Sequence, residues 1–136
     1  WKYRVDFGHG TGHGVGYFLG VHEGPAQIRQ NLSGAGLFSG MITSIEPGVY
    51  REGIFGVRHE NLYLITDAGE SEFGHFLKFE PLTMCHFDTS ILNLSLLDEW
   101  EIEWLDDYNR RVYESIGTFL DEPVRSWLRE KTKPVK

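Results

Sequence analysis

At 136 residues, 40% hydrophobic and 24% charged, the chain has enough apolar content for one domain with a real core and is too short for two ordinary ones. No apolar run approaches the roughly 20 residues of a membrane helix, which excludes a spanning segment within it. Thirteen Lys and Arg against twenty Asp and Glu give a net charge of −7, the wrong sign for gripping a phosphate backbone, so no nucleic acid partner is expected.

Fifteen of the sixteen glycines fall in residues 1 to 74, so a glycine-rich front precedes an acidic back. In the front, Val15 to Val21 alternates loosely and reads as a strand. Met41 to Ile45 reads as a second strand, continued by Val49-Tyr50 after Pro47-Gly48. Arg51 to Gly56 is expected to turn back into a strand over Val57 to Ile65. Thr66-Asp67-Ala68-Gly69 has turn composition, and Phe76 to Phe79 is another short strand. The lone cysteine, Cys85, excludes an internal disulfide and a Cys-x-x-Cys zinc site, and suits a reducing compartment.

In the back, Ser95 to Asp98 has the spacing of a capping box, with Asp in place of the usual Glu or Gln. Leu105, Tyr108, Val112, Ile116 and Phe119 recur at helical spacing and predict one long amphipathic helix. Six acids between Asp98 and Asp107 suit the positive end of its dipole. A second helix is expected to open at Asp121-Glu122-Pro123, turn Val124, Trp127 and Leu128 inward, and stop before Pro134. Trp100, Trp104 and Trp127 are large payloads for so short a tail. From about Ser95 it is expected to cover the sheet or a partner subunit in a homodimer.

The chemistry-bearing residues lie in the front. Residues 8 to 25 read Gly-His-Gly-Thr-Gly-His-Gly-Val-Gly-Tyr-Phe-Leu-Gly-Val-His-Glu-Gly-Pro. His9 and His13 have the spacing of two zinc ligands on a helix, but glycines at 8, 10, 12, 14 and 16 rule a helix out and no Glu follows His9. Glycine instead lets backbone approach a ligand closely, so imidazoles on such a strand or loop can converge on a metal or a substrate. Glu46 ends an apolar strand, and Glu60 sits inside the expected Val57 to Ile65 strand. A carboxylate there is costly unless paired or metal-bound. Arg58, two residues from Glu60 on the same strand face, is the alternative salt-bridge partner. With His13 the two glutamates form a hard, mostly oxygen set, suited to Mn²⁺, Co²⁺, Fe²⁺ or Zn²⁺ in a catalytic site rather than to a closed structural zinc.

Four motifs in order, GHGTGHGVG, VHEGP, GMITSIEPGVY and GVRHENLYLI, resemble the second half of the metallopeptidases with the pita-bread fold, in particular the Xaa-Pro aminopeptidases (aminopeptidase P). FLKFEPLT and the WLDDYNRRV…WL tail resemble the end of the three-domain cytosolic-type enzyme. The resemblance implies an α+β fold, with 1–87 as the C-terminal half of the pita-bread catalytic domain and 88–136 as its helical extension. It implies His13, Glu46 and Glu60 as ligands of two divalent metal ions, Mn²⁺ foremost with Zn²⁺ or Co²⁺ as alternatives, and Glu60 as the bridging carboxylate. Glu46 would also handle a proton. His22 would contact the scissile carbonyl, His9 would line the substrate pocket, and Arg58 would stand beside the metals and substrate.

The implied activity is cytoplasmic, metal-dependent release of the N-terminal residue from peptides with proline second. A prolidase-like dipeptidase and a non-catalytic peptide-binding module are the alternatives on the same fold. A creatinase-like hydrolysis without metal is disfavoured, because a site without cations has no need to gather anions. The family also uses an Asp-x10-Asp ligand pair, and no Asp in this chain has an Asp eleven places on. Three of five ligands are therefore present, and the 136 residues are expected to be inactive alone.

Overall fold

The computed structural model describes residues 3–18, 20–31 and 35–135. The chain divides into two compact units, Trp1–Thr83 and Met84–Lys136.

In the first unit, seven strands run among the described residues: β1 (Gly12–His13), β2 (Gln27–Ile28), β3 (Ile42–Ile45), β4 (Gly48–Arg51), β5 (Phe55–Arg58), β6 (Asn61–Ser71) and β7 (Gly74–Pro81). All pairings are antiparallel: β1 with β2, β4 with β5, and a three-stranded sheet in the order β3-β6-β7. The ladder sets Ile42 opposite Leu64 and Ile45 opposite Asn61. A bridge between Gly14 and Thr43 brings the glycine-rich segment alongside β3. The interior under that contact is polar, because Thr43 and Ser44 are fully buried beside buried Ala26 and Ile65. The β4–β5 turn closes with Ile54 N–H donating to the Arg51 carbonyl. Gly53 there has φ +69°, a conformation that other side chains resist.

Several expected elements differ. Val15 to Val21 forms no strand among its described residues, and Tyr17 and Phe18 stand in solvent; Leu19 lies outside the described residues. The expected Val57 to Ile65 strand is two strands, broken at His59-Glu60, so Glu60 is at a strand junction and exposed. Thr66 to Gly69 is no turn. β6 runs through it with a register shift between Asp67 and Gly69, and the reversal comes at Glu72-Phe73. Asp and Gly mark a bulge here, a use that composition alone does not separate from a turn.

The second unit holds 3₁₀ turns at Thr89–Ile91 and Leu94–Leu96, helix α1 (Glu99–Ile116), a 3₁₀ turn at Gly117–Phe119 and helix α2 (Val124–Lys131). Asp98 caps α1: it accepts from Glu101 N–H while the Glu101 carboxylate accepts from Asp98 N–H. The box is therefore Asp98/Glu101 rather than Ser95/Asp98, because Asn93 accepts the Ser95 N–H and hydroxyl in the preceding 3₁₀ turn. The core is Tyr108, Val112 and Leu128, with Met84, Phe87, Tyr113, Ile116 and Leu120 packed on it. Buried Asn109 straps the chain before α1, accepting from Phe87 N–H and donating to the Phe87 carbonyl. Phe119 and Trp127 are not inward as expected: Phe119 leaves the helical register in the 3₁₀ turn, and of the α2 trio only Leu128 is buried.

Candidate metal and substrate site

His13 occupies β1 between two glycines, and both are required by packing. A Cβ on Gly12 would collide with the Ser44 carbonyl, and one on Gly14 with the Glu23 carbonyl. The bare backbone can thus lie against β2 on one side and β3 on the other. Thr11 N–H donates to the Ile28 carbonyl at 2.7 Å and Gly14 N–H to the Ala26 carbonyl at 2.8 Å, while Glu46 N–H donates to the Thr11 carbonyl at 2.6 Å. The histidine is held by its own main chain as well: its N–H donates to Ser44 Oγ at 3.0 Å and its carbonyl accepts from Thr43 Oγ1 at 3.0 Å.

One ligand atom each from His13, Glu46 and Glu60 fall within 4.8 Å of one another. Glu46 follows β3 directly, and Glu60 sits in the two-residue break between β5 and β6 that swings its carboxylate toward Glu46. His13 Nδ1 lies 3.0 Å from the Gly14 carbonyl, an acceptor only, so Nδ1 carries a proton and Nε2 is the nitrogen left to face the acids. That Nε2 is 3.2 Å from Glu46 Oε1. Two electron-rich atoms at this separation need a cation, a proton or a metal ion, between them. With a second carboxylate from Glu60, the donor set fits a hard divalent metal.

Arg58 lies across the same acids. Its Nε is 3.9 Å from Glu46 Oε2 and 3.6 Å from Glu60 Oε2. The guanidinium is pushed above its ordinary range first by its hydrogen bond to Tyr50, then by the charges of Glu60 and Glu46. It offsets part of their repulsion without entering the cluster of ligand atoms. The salt bridge and the ligand cluster therefore coexist.

The His22 ring stands 4.3 Å, centroid to centroid, from that of His13. His9 is on the flank: its Nδ1 donates to the Gly10 carbonyl, its Nε2 is 2.8 Å from Tyr50 Oη, and Phe7 packs on its ring. A cavity of about 370 Å³ opens beside it, lined by Phe7, Ile28 and Arg29 among others. Two residues escaped the sequence reading. Tyr50 joins His9 to Arg58, and Ser44 sits beneath His13 and Glu46. A period-two reading backward from Glu46 places Ser44 on the same strand face; no local pattern marks Tyr50.

The profile of metallopeptidase family M24 matches residues 1–67, and that of the C-terminal region of peptidase M24 matches residues 75–135. The chain is similar to Xaa-Pro aminopeptidase app-1 of Caenorhabditis elegans, 42% identical over 99% of this chain and 23% of that protein. It is likewise similar to a probable Xaa-Pro aminopeptidase P of Coprinopsis cinerea, 39% identical over 99% of this chain and 23% of that one. The crystal structure of X-prolyl aminopeptidase from Caenorhabditis elegans, described as a cytosolic enzyme with a di-nuclear active site, superposes with a TM-score of 0.89 and 42% identity, again over 99% of this chain and 23% of that one. The chain thus spans about a quarter of the length of these relatives.

Proposed function

Because the chain belongs to metallopeptidase family M24, with the α+β architecture of the second half of a pita-bread domain and its helical extension, we propose that it supplies part of the active site of a metal-dependent Xaa-Pro aminopeptidase. The observation that carries the reading is the convergence of His13, Glu46 and Glu60, with His13 Nε2 3.2 Å from Glu46 Oε1. The substrate class is peptides with proline in the second position. The relative described as cytosolic supports a cytoplasmic setting, and no helix among the described residues is long and apolar enough to cross a membrane.

His13, Glu46 and Glu60 would hold divalent cations, two in the complete enzyme, with Mn²⁺ as the working ion and Co²⁺ and Zn²⁺ as the comparisons. When bound, such ions supply Lewis acidity and a water of lowered pKa. The chain's own residues do the rest. Glu46 Oε1 faces the cluster, where it can take a proton from the attacking water and pass it to the leaving proline nitrogen. His22, beside the ligand histidine, is placed to donate to the scissile carbonyl oxygen as negative charge develops there. His9, with Tyr50 fixing its Nε2, lines the substrate side. Arg58, 3.9 Å from one oxygen of Glu46 and 3.6 Å from one of Glu60, screens the repulsion between them so that the two acids can stand together.

The test uses the complete polypeptide loaded with Mn²⁺, Co²⁺ or Zn²⁺ and a set of peptides with and without a penultimate proline. Release of the N-terminal residue before proline is expected, and His13→Ala, Glu46→Gln or Glu60→Gln should each abolish it and lower the metal content. Activity restricted to dipeptides would move the reading to a prolidase-like enzyme. Peptide binding without cleavage in the metal-loaded protein would make it a binding module.

A further inference from the structure

Ser44 is fully buried, and its hydroxyl lies between two of the three proposed ligands. It accepts the His13 N–H at 3.0 Å and has one proton to give, with Glu46 Oε1 at 3.4 Å and the His13 carbonyl at 3.5 Å as its acceptors. Strand geometry explains the placement: Ser44 and Glu46 are two apart and share a face, and β1 is pressed against that strand by the absence of a Cβ at Gly12. One hydroxyl therefore ties the backbone of a ligand on one strand to the carboxylate of a ligand at the end of the next. The neighbouring Thr43 is just as buried and bonds the His13 carbonyl, but reaches no ligand side chain.

We propose that Ser44 is the positioning residue of the metal site, orienting the Glu46 carboxylate toward His13 and holding the separation of the two ligands. The inference rests on the function proposed above. Without the hydroxyl, Glu46 Oε1 loses its donor, the His13 N–H loses its acceptor, and the carboxylate is free to rotate toward Arg58, 3.9 Å from its other oxygen. Groups that orient metal ligands in this way are typically worth about 10- to 100-fold in metal affinity.

The experiment compares wild type, Ser44→Ala, Ser44→Cys and Thr43→Val in the complete polypeptide. Metal affinity is read by competition with a chelating dye for Mn²⁺ and Co²⁺, and ligand geometry by the visible spectrum of the Co²⁺ form. The Tm of the metal-free protein is recorded alongside. Ser44→Ala should weaken metal binding about 10- to 100-fold and alter the Co²⁺ spectrum. Ser44→Cys, with a weak donor of similar size, should fall between it and wild type, and remains readable if the alanine variant does not fold. Thr43→Val, which frees the His13 carbonyl but no ligand side chain, should lower Tm and weaken metal binding less than Ser44→Ala does. Wild-type affinity and spectrum in both Ser44 variants would overturn the inference alone, as would equal losses in Thr43→Val and Ser44→Ala. A wild-type protein that binds no divalent metal would overturn the proposed function and this inference with it.

Discussion

His13 and His75 each stand beside a carboxylate, and the contrast between them separates the proposed metal ligand from an ordinary surface ion pair. His13 gives one nitrogen to a carbonyl and turns the other toward Glu46, with Glu60 close by. His75 spends its nitrogens on different acids, Nε2 on Asp67 at 2.9 Å and Nδ1 on Glu70 at 3.6 Å. No single lone pair there is shared with two carboxylates, and all three side chains are exposed. His75→Ala should therefore leave metal content and turnover at wild-type levels and change stability by no more than about 0.5 kcal/mol, as measured by urea unfolding. His22→Ala should retain metal but lower kcat by about 10²- to 10³-fold, the usual cost of one donor to a developing oxyanion. If metal content falls in parallel with kcat, His22 is a ligand rather than an oxyanion donor. His9 and His13 stand out in the sequence by the glycines around them, while the roles expected of them and of His22 come from the resemblance to the pita-bread metallopeptidases. Tyr50 does not stand out, because its phenol reaches a histidine 41 residues away only after the chain has folded.

At the scale of single elements, α1 and α2 are started by different devices. Asp98→Ala removes a reciprocal cap and should cost about 1 kcal/mol in a denaturant melt, while Ser95→Ala, outside the box, should cost much less. Ahead of α2, Glu122 accepts from the Ser126 hydroxyl and N–H and from Arg125. The Ser126 hydrogen bond first, then Arg125, hold its carboxyl below the ordinary 4.5. A carboxyl depressed in the folded state stabilises it above the unfolded pKa, and that contribution is lost as pH falls through the folded value. An NMR titration should thus find the Glu122 midpoint below 4.5, and the midpoint should rise in Ser126→Ala. The periodicity of Tyr108 and Val112 was legible because burial repeats every turn. The end of α1 was not: Ile116 leads into a tighter turn, and that turn rotates Phe119 out into solvent.

Over the whole molecule, two features bear on activity. The first is how little apolar surface is hidden. The first unit leaves Phe55, Val57, Phe73, Phe76 and Phe79 exposed, and the second leaves Trp100, Phe119, Val124 and Trp127 exposed. Such surface suits a segment that is covered by more protein, and the relatives are about four times as long as this chain. The second is the ligand count. The proposed ligands His13, Glu46 and Glu60 would provide three donors and two negative charges, too few to compensate the dehydration of two divalent cations. The 136 residues purified alone, in excess Mn²⁺, should show no turnover of Xaa-Pro peptides and bind at most one ion weakly, whereas a polypeptide of the relatives' length is expected to cleave them. Comparable rates from both would show that His13, Glu46 and Glu60 suffice without further ligands.

What the sequence determined by itself was the inventory and its order: glycines flanking His13, an acid at the end of an apolar strand, a second acid two residues after an arginine, and the helical period of the tail. These are local properties, set by backbone freedom and side-chain spacing over a few residues. Tertiary structure decided which of them meet. Glu60 was read as buried inside a strand, yet it sits in a break between two strands, because β5 leaves to pair with β4 while β6 pairs with β3. Ser44 looked like an ordinary strand serine until β1 lay against it. The break at Glu60 depends on β6 leaving the β4–β5 hairpin to set Asn61 opposite Ile45, and the Ser44 contact joins it to His13, 31 residues away; strand composition does not specify either partner.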